Sequence, residues 1–212
     1  MTTRSIDTVI FDFGGVLTAN GRHSDFARRF PDADPEVVTR IMVGDYAEDG
    51  DHPWHRLERG EITLKLNRQL NREALDAAGI EVPAPVPGTS QMLEFELNTP
   101  VIELVHDLRS AGLKLGVLTN NVAEFRPMWW GLLPFDELFD DVVDSHEVGL
   151  RKPNPAIYQL ALARLGAEAG RTAFLDDVPT NVAASERLGM YGVLVDVDPL
   201  PAVATVRNLA AL

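Results

Sequence analysis

The sequence predicts an α/β fold, with a doubly wound parallel (Rossmann-like) sheet as its core and a helical insertion after the first strand. Short apolar runs rich in β-branched residues recur along the chain, and after residue 100 they alternate with segments of helical periodicity. Most of these runs are continuous rather than alternating, as in parallel strands that are buried on both faces. The long stretch between the first and second runs has no convincing strand pattern, which indicates the insertion.

Five apolar runs are the predicted strands, and they are residues 8–11, 115–118, 142–143, 172–175 and 192–195. Two helices follow from apolar residues that share one face of a helix. The first set is Val101, Leu104, Val105 and Leu108, and the second is Ile157, Leu160, Ala161 and Leu165. Gly166 directly follows the second set and predicts the end of that helix. Strands and helices in alternation predict right-handed βαβ units.

We expect residues 1–18 and 99–212 to form the core and residues 19–98 to be the helical insertion. The insertion closes with residues 82–88, in which prolines recur and a glycine follows, so this segment is predicted to be a stiff, helix-breaking linker. Both ends of the insertion should therefore return near the carboxyl end of the first strand.

Helices are the only regular elements predicted within the insertion. Apolar residues recur there at helical spacing, namely Ile62, Leu66, Leu70, Ala74 and Ala78, and Gly79 ends the pattern. Two shorter helices are expected, around residues 25–30 and 35–43.

The composition narrows the classes of function. The chain has 212 residues, of which 45% are hydrophobic and 24% charged, as in ordinary globular proteins. The net charge of −13 argues against a nucleic-acid or membrane-surface partner, because either would bind a basic face. The absence of cysteine excludes thiolate nucleophiles and zinc–sulfur sites. We find neither a bilayer-spanning apolar run nor a secretory signal pattern, so a cytoplasmic protein is expected.

The most informative residues stand just after the predicted strands, where open α/β sheets bind their ligands. In chain order these residues are Asp12, Thr119, Asn120, Asn121, Lys152, Asp176, Asp177 and Asn181. Any one of them has an ordinary explanation as a helix cap or turn residue. Their joint occurrence at successive strand ends is not required by structure alone, and it predicts a single polar crevice.

This set of side chains suits phosphoryl transfer through a covalent aspartyl intermediate. Asp12 is a carboxylate that can attack phosphorus. Because an anion that attacks an anion needs a cation, Asp177 would hold Mg²⁺ together with one oxygen of Asp12. Asp176 would hold a metal-bound water or orient the neighbouring Asp177, without ligating the metal itself. Lys152 supplies a second positive charge, which can bridge Asp12 and the phosphoryl oxygens.

Neutral groups complete the predicted site. Thr119 and the backbone amide of Asn120 would donate hydrogen bonds to the phosphoryl oxygens. Gly14 and Gly15 would let the backbone approach the metal and the phosphate closely.

The four groups of residues resemble, in order and spacing, the four motifs of the haloacid dehalogenase-like hydrolase superfamily. Residues 11–17 (FDFGGVL) look like motif one, and residues 117–120 (VLTN) look like motif two. Residues 152–158 (KPNPAIY) are similar to motif three of the subgroup that carries a helical cap after strand one. Residues 174–177 (FLDD) with Asn181 look like motif four. The resemblance spans essentially the whole chain, and the inserted helices match the cap of that subgroup.

The resemblance implies a Mg²⁺-dependent phosphatase that acts on a small phosphorylated metabolite. By the family pattern the metal ligands would be Asp12, the backbone carbonyl of Gly14, and Asp177. The sequence also resembles the phosphatase-like domains fused to acyl-CoA dehydrogenases and to soluble epoxide hydrolases, and sugar-1-phosphate phosphatases.

Gly14 departs from the pattern, because most phosphatases of the family carry there an Asp that protonates the leaving group. Three hypotheses follow. The chain is an active phosphatase whose substrate has a good leaving group, or whose acid is His23, Asp25 or another cap residue. Alternatively, it is a lapsed enzyme that binds a phosphorylated ligand or a protein partner. The third, a 2-haloacid dehalogenase, is disfavoured because the resemblance gives those enzymes no pair like Asp176 and Asp177.

Several cap side chains are candidates to contact a substrate, and they are Arg22, His23, Trp54, His55, Arg56 and Arg59. Arg22 and His23 stand soon after motif one and are the candidates to face the crevice. Trp54 is expected between cap helices, and Arg56 and Arg59 on a solvated helix face.

Two further pairs receive a structural interpretation. His52 and His55 have a spacing that suits a metal, but the sequence offers no third ligand nearby, so we reject a metal site there. Of Trp129 and Trp130, at least one is expected in the core or against the cap. The chain is expected to be a monomer or a homodimer.

Overall fold

The protein is described by a computed structural model, which covers residues 5–20, 27–83 and 95–212. Its centre is a five-stranded parallel sheet with the strand order β3-β2-β1-β4-β5. The strands are β1 (Thr8–Phe11), β2 (Lys114–Thr119), β3 (Asp141–Asp144), β4 (Thr172–Asp176) and β5 (Tyr191–Leu194). Each strand lies at the place the apolar runs predict, and the predicted fold class is confirmed.

Helices account for half of the remaining described chain. They are α1 (Pro35–Val43), α2 (Pro53–Glu58), α3 (Leu64–Ala77), α4 (Thr99–Ser110), α5 (Arg126–Trp129), α6 (Phe135–Leu138), α7 (Ser145–Val148), α8 (Pro155–Leu165), α9 (Pro179–Arg187) and α10 (Leu200–Ala210). The predicted helices over α4 and α8 are confirmed. Gly166 ends α8 with a φ of 55°, a left-handed conformation that glycine adopts without strain.

The sheet is covered on both faces, which explains why its strands are continuously apolar. Val9 and Phe11 of β1 belong to one hydrophobic cluster, which also contains the buried face of α4 and part of α10. Ile10, between them, belongs to a second cluster with the buried residues of α8. Because successive side chains of a strand point to opposite faces, these two clusters are the two sides of the doubly wound core.

The segment between β1 and α4 leaves and rejoins the core at one place. Thr18 and Leu97 form an isolated antiparallel bridge. The amide of Asn98 donates to the carbonyl of Leu17 at 2.9 Å, and the amide of Ala19 donates to the carbonyl of Glu96 at 2.7 Å. The two ends of the inserted segment therefore lie side by side, beyond the carboxyl end of β1, as expected.

The helices of this segment match the predictions in part. The helix expected at residues 35–43 is α1. Residues 27–29 form a short 3₁₀ turn, whereas the rest of the helix expected around residues 25–30 lies outside the described residues. Most of the predicted linker, residues 82–88, lies outside them as well. Helix α2 was missing from the prediction.

Helix α3 occurs where the apolar spacing predicts it, and Gly79 follows its end with a φ of 70°. The leucines and alanines that predicted the helix do not form its buried face, since Leu66 is 40% exposed. The buried residues of α3 are instead Asn67, Asn71 and Leu75. The Asn71 amide donates to the side-chain oxygen of Asn67 and to the carbonyl of Met42 in α1. Polar contacts with α1 thus form part of the buried face of this helix, together with Leu75, and an apolar pattern cannot reveal such contacts.

Among the described residues, no helix combines the length and the apolar character that crossing a bilayer requires.

Candidate active site

Lys152 is the centre of the polar crevice at the carboxyl edge of the sheet. Its ammonium lies 2.9 Å from Oδ1 of Asp12 and 2.6 Å from Oδ2 of Asp176. It also donates to the carbonyl of Leu118 at 3.0 Å. These three acceptors match the three protons of an ammonium group, and the side chain is buried. The structure therefore fixes the position of the ammonium group and the orientation of its three N–H bonds.

Asp12 is held at the end of β1 by the sheet and by the turn that follows. Its backbone amide donates to the carbonyl of Leu175 in β4 at 2.8 Å, and its Oδ1 accepts from the amide of Phe13 at 2.7 Å. Burial raises the pKa of the Asp12 carboxyl to about 7, although the neighbouring Lys152 opposes the rise. The pKa of Lys152 is raised by the carboxylates beside it, in spite of its burial. Among the residues that the structure describes, the site thus holds more negative charge than the Lys152 ammonium balances.

Three carboxylates converge beside this ammonium. Oxygen atoms of Asp12, Asp176 and Asp177 all lie within 4.8 Å of one another. Hard oxygen donors at this separation are the ligand type that Mg²⁺ prefers, and a divalent cation would offset the excess negative charge. The residues present therefore fit the predicted metal. Asp176 and Asp177 reach the site because β4 ends at Asp176, beside β1.

Asp176 uses both of its oxygens within the protein. Its Oδ1 accepts from the amide of Val178 at 2.8 Å and from the side-chain amide of Asn181 at 3.1 Å. Its Oδ2 accepts from Lys152 and, at 3.2 Å, from Asn181. The structure thus brings Asn181 onto Asp176, where its amide helps to hold the carboxylate. Both oxygens of Asp176 are therefore engaged in hydrogen bonds or ion pairs within the protein.

The turn after Asp12 explains the two glycines. Residues Phe13–Leu17 form a π-helical turn in which Gly14 has φ −71° and ψ 128° and Gly15 has φ 73°. Gly15 occupies a left-handed conformation that other residues adopt only with strain. The φ and ψ of Gly14 are in a region that any residue adopts, so backbone strain does not require glycine at this position.

Thr119 and Asn120 stand at the end of β2, as predicted. Thr119 is its buried last residue. The side chain of Asn120 is engaged with Lys152: its Oδ1 accepts from the Lys152 amide at 2.8 Å, and its Nδ2 donates to the Lys152 carbonyl at 3.0 Å. Asn120 therefore ties motif two to motif three. The predicted role of its backbone amide as a donor to phosphate stays a prediction.

Arg151 is a residue that the sequence reading missed. It is fully buried, and its Nε lies 2.8 Å from Oε2 of Glu58 in α2. Its guanidinium lies 4.8 Å from the centre of the Tyr46 ring, within cation–π range. A charged residue before Lys152 was visible in the sequence. Its partner stands 93 residues away in the inserted segment, and no local pattern joins the two.

The remaining residues of the inserted segment that were expected near the substrate differ in where they lie. Arg22, His23 and Asp25 lie outside the described residues. Trp54 is buried with Val43 and Leu57, and the same cluster includes Val122 of the core, so the cap is packed on the core there.

The expectation for Arg59 was wrong. Its side chain is only 13% exposed, because it pairs with Asp49 and Glu61 and donates to the carbonyl of Gly50. Arg56 is 39% exposed, in agreement with a solvated face. The sequence has no local pattern that indicates the contacts of Arg59 with Asp49 and Gly50.

The histidine and tryptophan pairs contribute to packing and turns. His52 caps α2 by accepting from the amide of Trp54 at 3.1 Å, and His55 accepts from the amide of Gly50 at 3.1 Å. Burial lowers the pKa of His55 to about 4, so that its ring is neutral. Trp129 is fully buried in the core, which confirms the expectation for this pair.

Comparison with known proteins agrees with the fold. The model of the haloacid dehalogenase-like hydrolase family matches residues 6–189. The chain is 33% identical over 200 residues to acyl-CoA dehydrogenase family member 10 of Mus musculus, covering 91% of this chain and 18% of that protein. It is 33% identical over 222 residues to phosphatase MT3486 of Mycobacterium tuberculosis, covering 98% and 95% of the two chains.

A solved structure shows the same similarity in three dimensions. A HAD-like family hydrolase of Porphyromonas gingivalis superposes with a TM-score of 0.65 at 28% identity, covering 95% of this chain and 98% of that chain. The chain spans less than a fifth of the mouse relative, and about a third of the mammalian bifunctional epoxide hydrolases that it also matches.

A parallel sheet with this strand order, an inserted helical segment after β1 and an Asp–Lys–Asp cluster at the strand ends define a hydrolase of a known class. The chain belongs to the haloacid dehalogenase-like hydrolase family. The resemblance read from the four motifs is thereby confirmed, and so is the expectation of a hydrolase.

Proposed function

We propose that the protein is a Mg²⁺-dependent phosphatase that hydrolyses a small phosphate monoester through an aspartyl-phosphate on Asp12. The observation that carries the proposal is the Lys152 ammonium, 2.9 Å from an oxygen of Asp12 and enclosed by the strand ends. Similarity over nearly the whole chain to a relative named a phosphatase supports it.

In the first half-reaction, a carboxylate oxygen of Asp12 forms a bond to phosphorus while the bond from phosphorus to the ester oxygen breaks. With no acid at position 14, the leaving alkoxide takes a proton from solvent water and departs as an alcohol. Lys152 bridges Asp12 and the phosphoryl oxygens, so that its charge offsets the negative charge that accumulates there. Thr119 and the backbone amide of Asn120 donate to the same oxygens.

In the second half-reaction, water forms a bond to phosphorus and the bond between phosphorus and Asp12 breaks. Inorganic phosphate leaves, and the carboxylate returns to its starting state. The attacking water loses one proton, and since Gly14 cannot accept it as the Asp of most family members would, the proton passes to solvent water.

Asp12, the backbone carbonyl of Gly14 and Asp177 would hold the magnesium ion, with Asp176 and Asn181 behind them. Bound magnesium supplies positive charge that lets the two anions approach each other. The choice of magnesium rests on the three converging carboxylates, whose negative charge the ammonium of Lys152 does not fully balance.

The substrate class we propose is a small phosphorylated metabolite, since the net charge of −13 disfavours polyanionic partners and membrane surfaces. We also propose that residues 1–18 and 99–212 act as the catalytic core and residues 19–98 as a cap that closes over the site. The paired ends of the inserted segment, at Thr18 and Leu97, support this division.

The test is Mg²⁺-dependent hydrolysis of an activated aryl phosphate by the wild type and by Asp12→Asn. We expect turnover that EDTA removes, that added Mg²⁺ restores and that Asp12→Asn abolishes. Asp7→Asn is the matched control, because Asp7 stands just before the other end of β1, in a half-exposed pair with Arg171, and should leave the rate unchanged.

Two results would replace the proposal. Binding of inorganic phosphate without turnover under any divalent metal would identify a lapsed enzyme that acts as a binding module. Release of chloride from a 2-haloacid without metal would identify a dehalogenase.

A further inference from the structure

The guanidinium of Arg151 is buried between the core and the inserted segment, one residue before Lys152. Its Nε bonds to Oε2 of Glu58 at 2.8 Å, and both side chains are at most 2% exposed. A buried ion pair is held in place strongly, because removal of either partner leaves an unpaired charge away from water. The pair therefore fixes the chain at Arg151 relative to α2.

Glu58 is itself held by two aromatic side chains. Its Oε1 accepts from Nε1 of Trp54 at 2.8 Å and from the hydroxyl of Tyr46. The Tyr46 ring in turn lies against the guanidinium of Arg151. Since both rings donate to Glu58 while it pairs with Arg151, the carboxylate has little freedom to follow Arg151 if that residue moves.

A second contact secures the other side of Lys152. The side-chain amide of Asn154 donates to Oδ2 of Asp49 at 3.0 Å, and Nη1 of Arg151 donates to the carbonyl of the adjacent Glu48. Residues 151 and 154 flank the Lys152–Pro153 step, and both are bonded to the same short stretch of the inserted segment. The core contributes Asn120, which bonds the amide and the carbonyl of Lys152 itself.

We infer that Arg151 is a positioning residue, through which Glu58 of the cap holds the backbone from which the Lys152 ammonium reaches Asp12. The inference rests on the proposed function. It assigns the cap a part in aligning the catalytic cation, in addition to covering the substrate. A shift of Lys152 by a fraction of an ångström would weaken a bond of 2.9 Å to Asp12 and lower the rate of phosphoryl transfer.

The test compares Glu58→Gln with Glu61→Gln. The first keeps the shape of the side chain and removes the charge opposite Arg151. The second makes the same change at a half-exposed carboxylate of the same segment, where Arg59 keeps Asp49 as a partner. With an activated aryl phosphate, we expect Glu58→Gln to lower kcat at least tenfold with KM changed less than threefold. Glu61→Gln should alter neither constant by more than twofold.

Hydrogen exchange of the Lys152 amide gives a readout that does not depend on turnover. We expect this amide to exchange at least tenfold faster in Glu58→Gln and to be unchanged in Glu61→Gln. If the wild type proves inactive, the proposed function fails, and the exchange result still decides whether the cap holds Lys152.

Other results would overturn the inference. One is an unchanged kcat and an unchanged Lys152 amide in a folded Glu58→Gln. Another is faster exchange spread evenly over the inserted segment with kcat intact, which would make the pair merely structural. Should Glu58→Gln fail to fold, Tyr46→Phe removes one donor to Glu58 and keeps the ring on Arg151. It should then speed exchange of the Lys152 amide by a smaller factor and lower kcat, and no change in either would contradict the inference.

Discussion

Gly60 lies so close to His146 that a β-carbon on Gly60 would stand 2.6 Å from the carbonyl oxygen of His146. Gly60 follows α2 in the inserted segment, and His146 belongs to α7 of the core. The contact is between backbones, so neither side can yield by changing a rotamer. At this point the inserted segment lies in direct backbone contact with the part of the chain that carries the sheet.

Gly60→Ala should therefore destabilise the protein more than an ordinary glycine substitution does. Gly60 has a φ of 69°, and Gly79 has a φ of 70° with open space around its β-carbon position. Gly79→Ala should cost about 1–2 kcal/mol for the backbone alone. Gly60→Ala should cost about 1–3 kcal/mol more because of the added clash. Urea unfolding of both variants measures the difference, and equal losses would contradict the contact.

Lys152→Met should destabilise the metal-free protein by about 3–5 kcal/mol, because it leaves Asp12 and Asp176 buried without their shared cation. Lys65→Met is the control, since Lys65 lies on an exposed position of α3 and should change stability little. Unfolding in EDTA provides the measurement. A loss in Lys152→Met no larger than the loss in Lys65→Met would show that the ammonium is dispensable for the fold.

His146 should make stability depend on pH. A hydrogen bond to Asp144 raises the pKa of His146 above its ordinary value of 6.5. A raised pKa in the folded state means that the stabilisation is complete below pH 6.5 and is lost as the pH rises through the folded-state pKa. His146→Gln should remove this part of the decline above pH 6.5 in the free energy of unfolding. His106→Gln, at an exposed position of α4, should keep the wild-type decline.

Gly14→Asp should bring no backbone strain, because the φ and ψ of Gly14 suit any residue, whereas Gly15→Asp should be strained by a φ of 73°. If a missing proton donor limits the rate, Gly14→Asp should accelerate hydrolysis of alkyl phosphates by up to about 10²–10⁴-fold. The gain should be smaller for aryl phosphates, whose leaving groups need no proton. An equal change for both kinds of substrate, measured as kcat, would rule out a missing acid as the limit.

The sequence was sufficient for the sheet and for the convergence of the site. Parallel strands are buried on both faces, so β1 and β4 are visible as apolar runs, and a parallel sheet brings the residues after its strands to one edge. Asp12, Lys152 and Asp176 meet for that reason.

What the sequence did not reveal depends on contacts between distant residues. The partner of Arg151 is Glu58, and the buried face of α3 is set by asparagines that bond to one another and to α1. Helix α2 escaped prediction because it is short and its start signal is a histidine cap followed by Pro53. The periodicity of apolar residues indicates only those helix faces that are buried among apolar side chains. Part of the buried interior of the inserted segment is polar, so the pattern does not indicate burial there.

The bridge between Thr18 and Leu97 affects how readily the inserted segment can gain or lose residues. The chain leaves the core and rejoins it at the same place. The strands of the sheet can therefore pair in the same way whatever lies between those two residues. The entropy of closing a flexible loop grows only slowly, by about 0.6 kcal/mol for each doubling of its length. Insertions and deletions between residues 20 and 95 can therefore accumulate while the register of β1 against β2 and β4 stays the same.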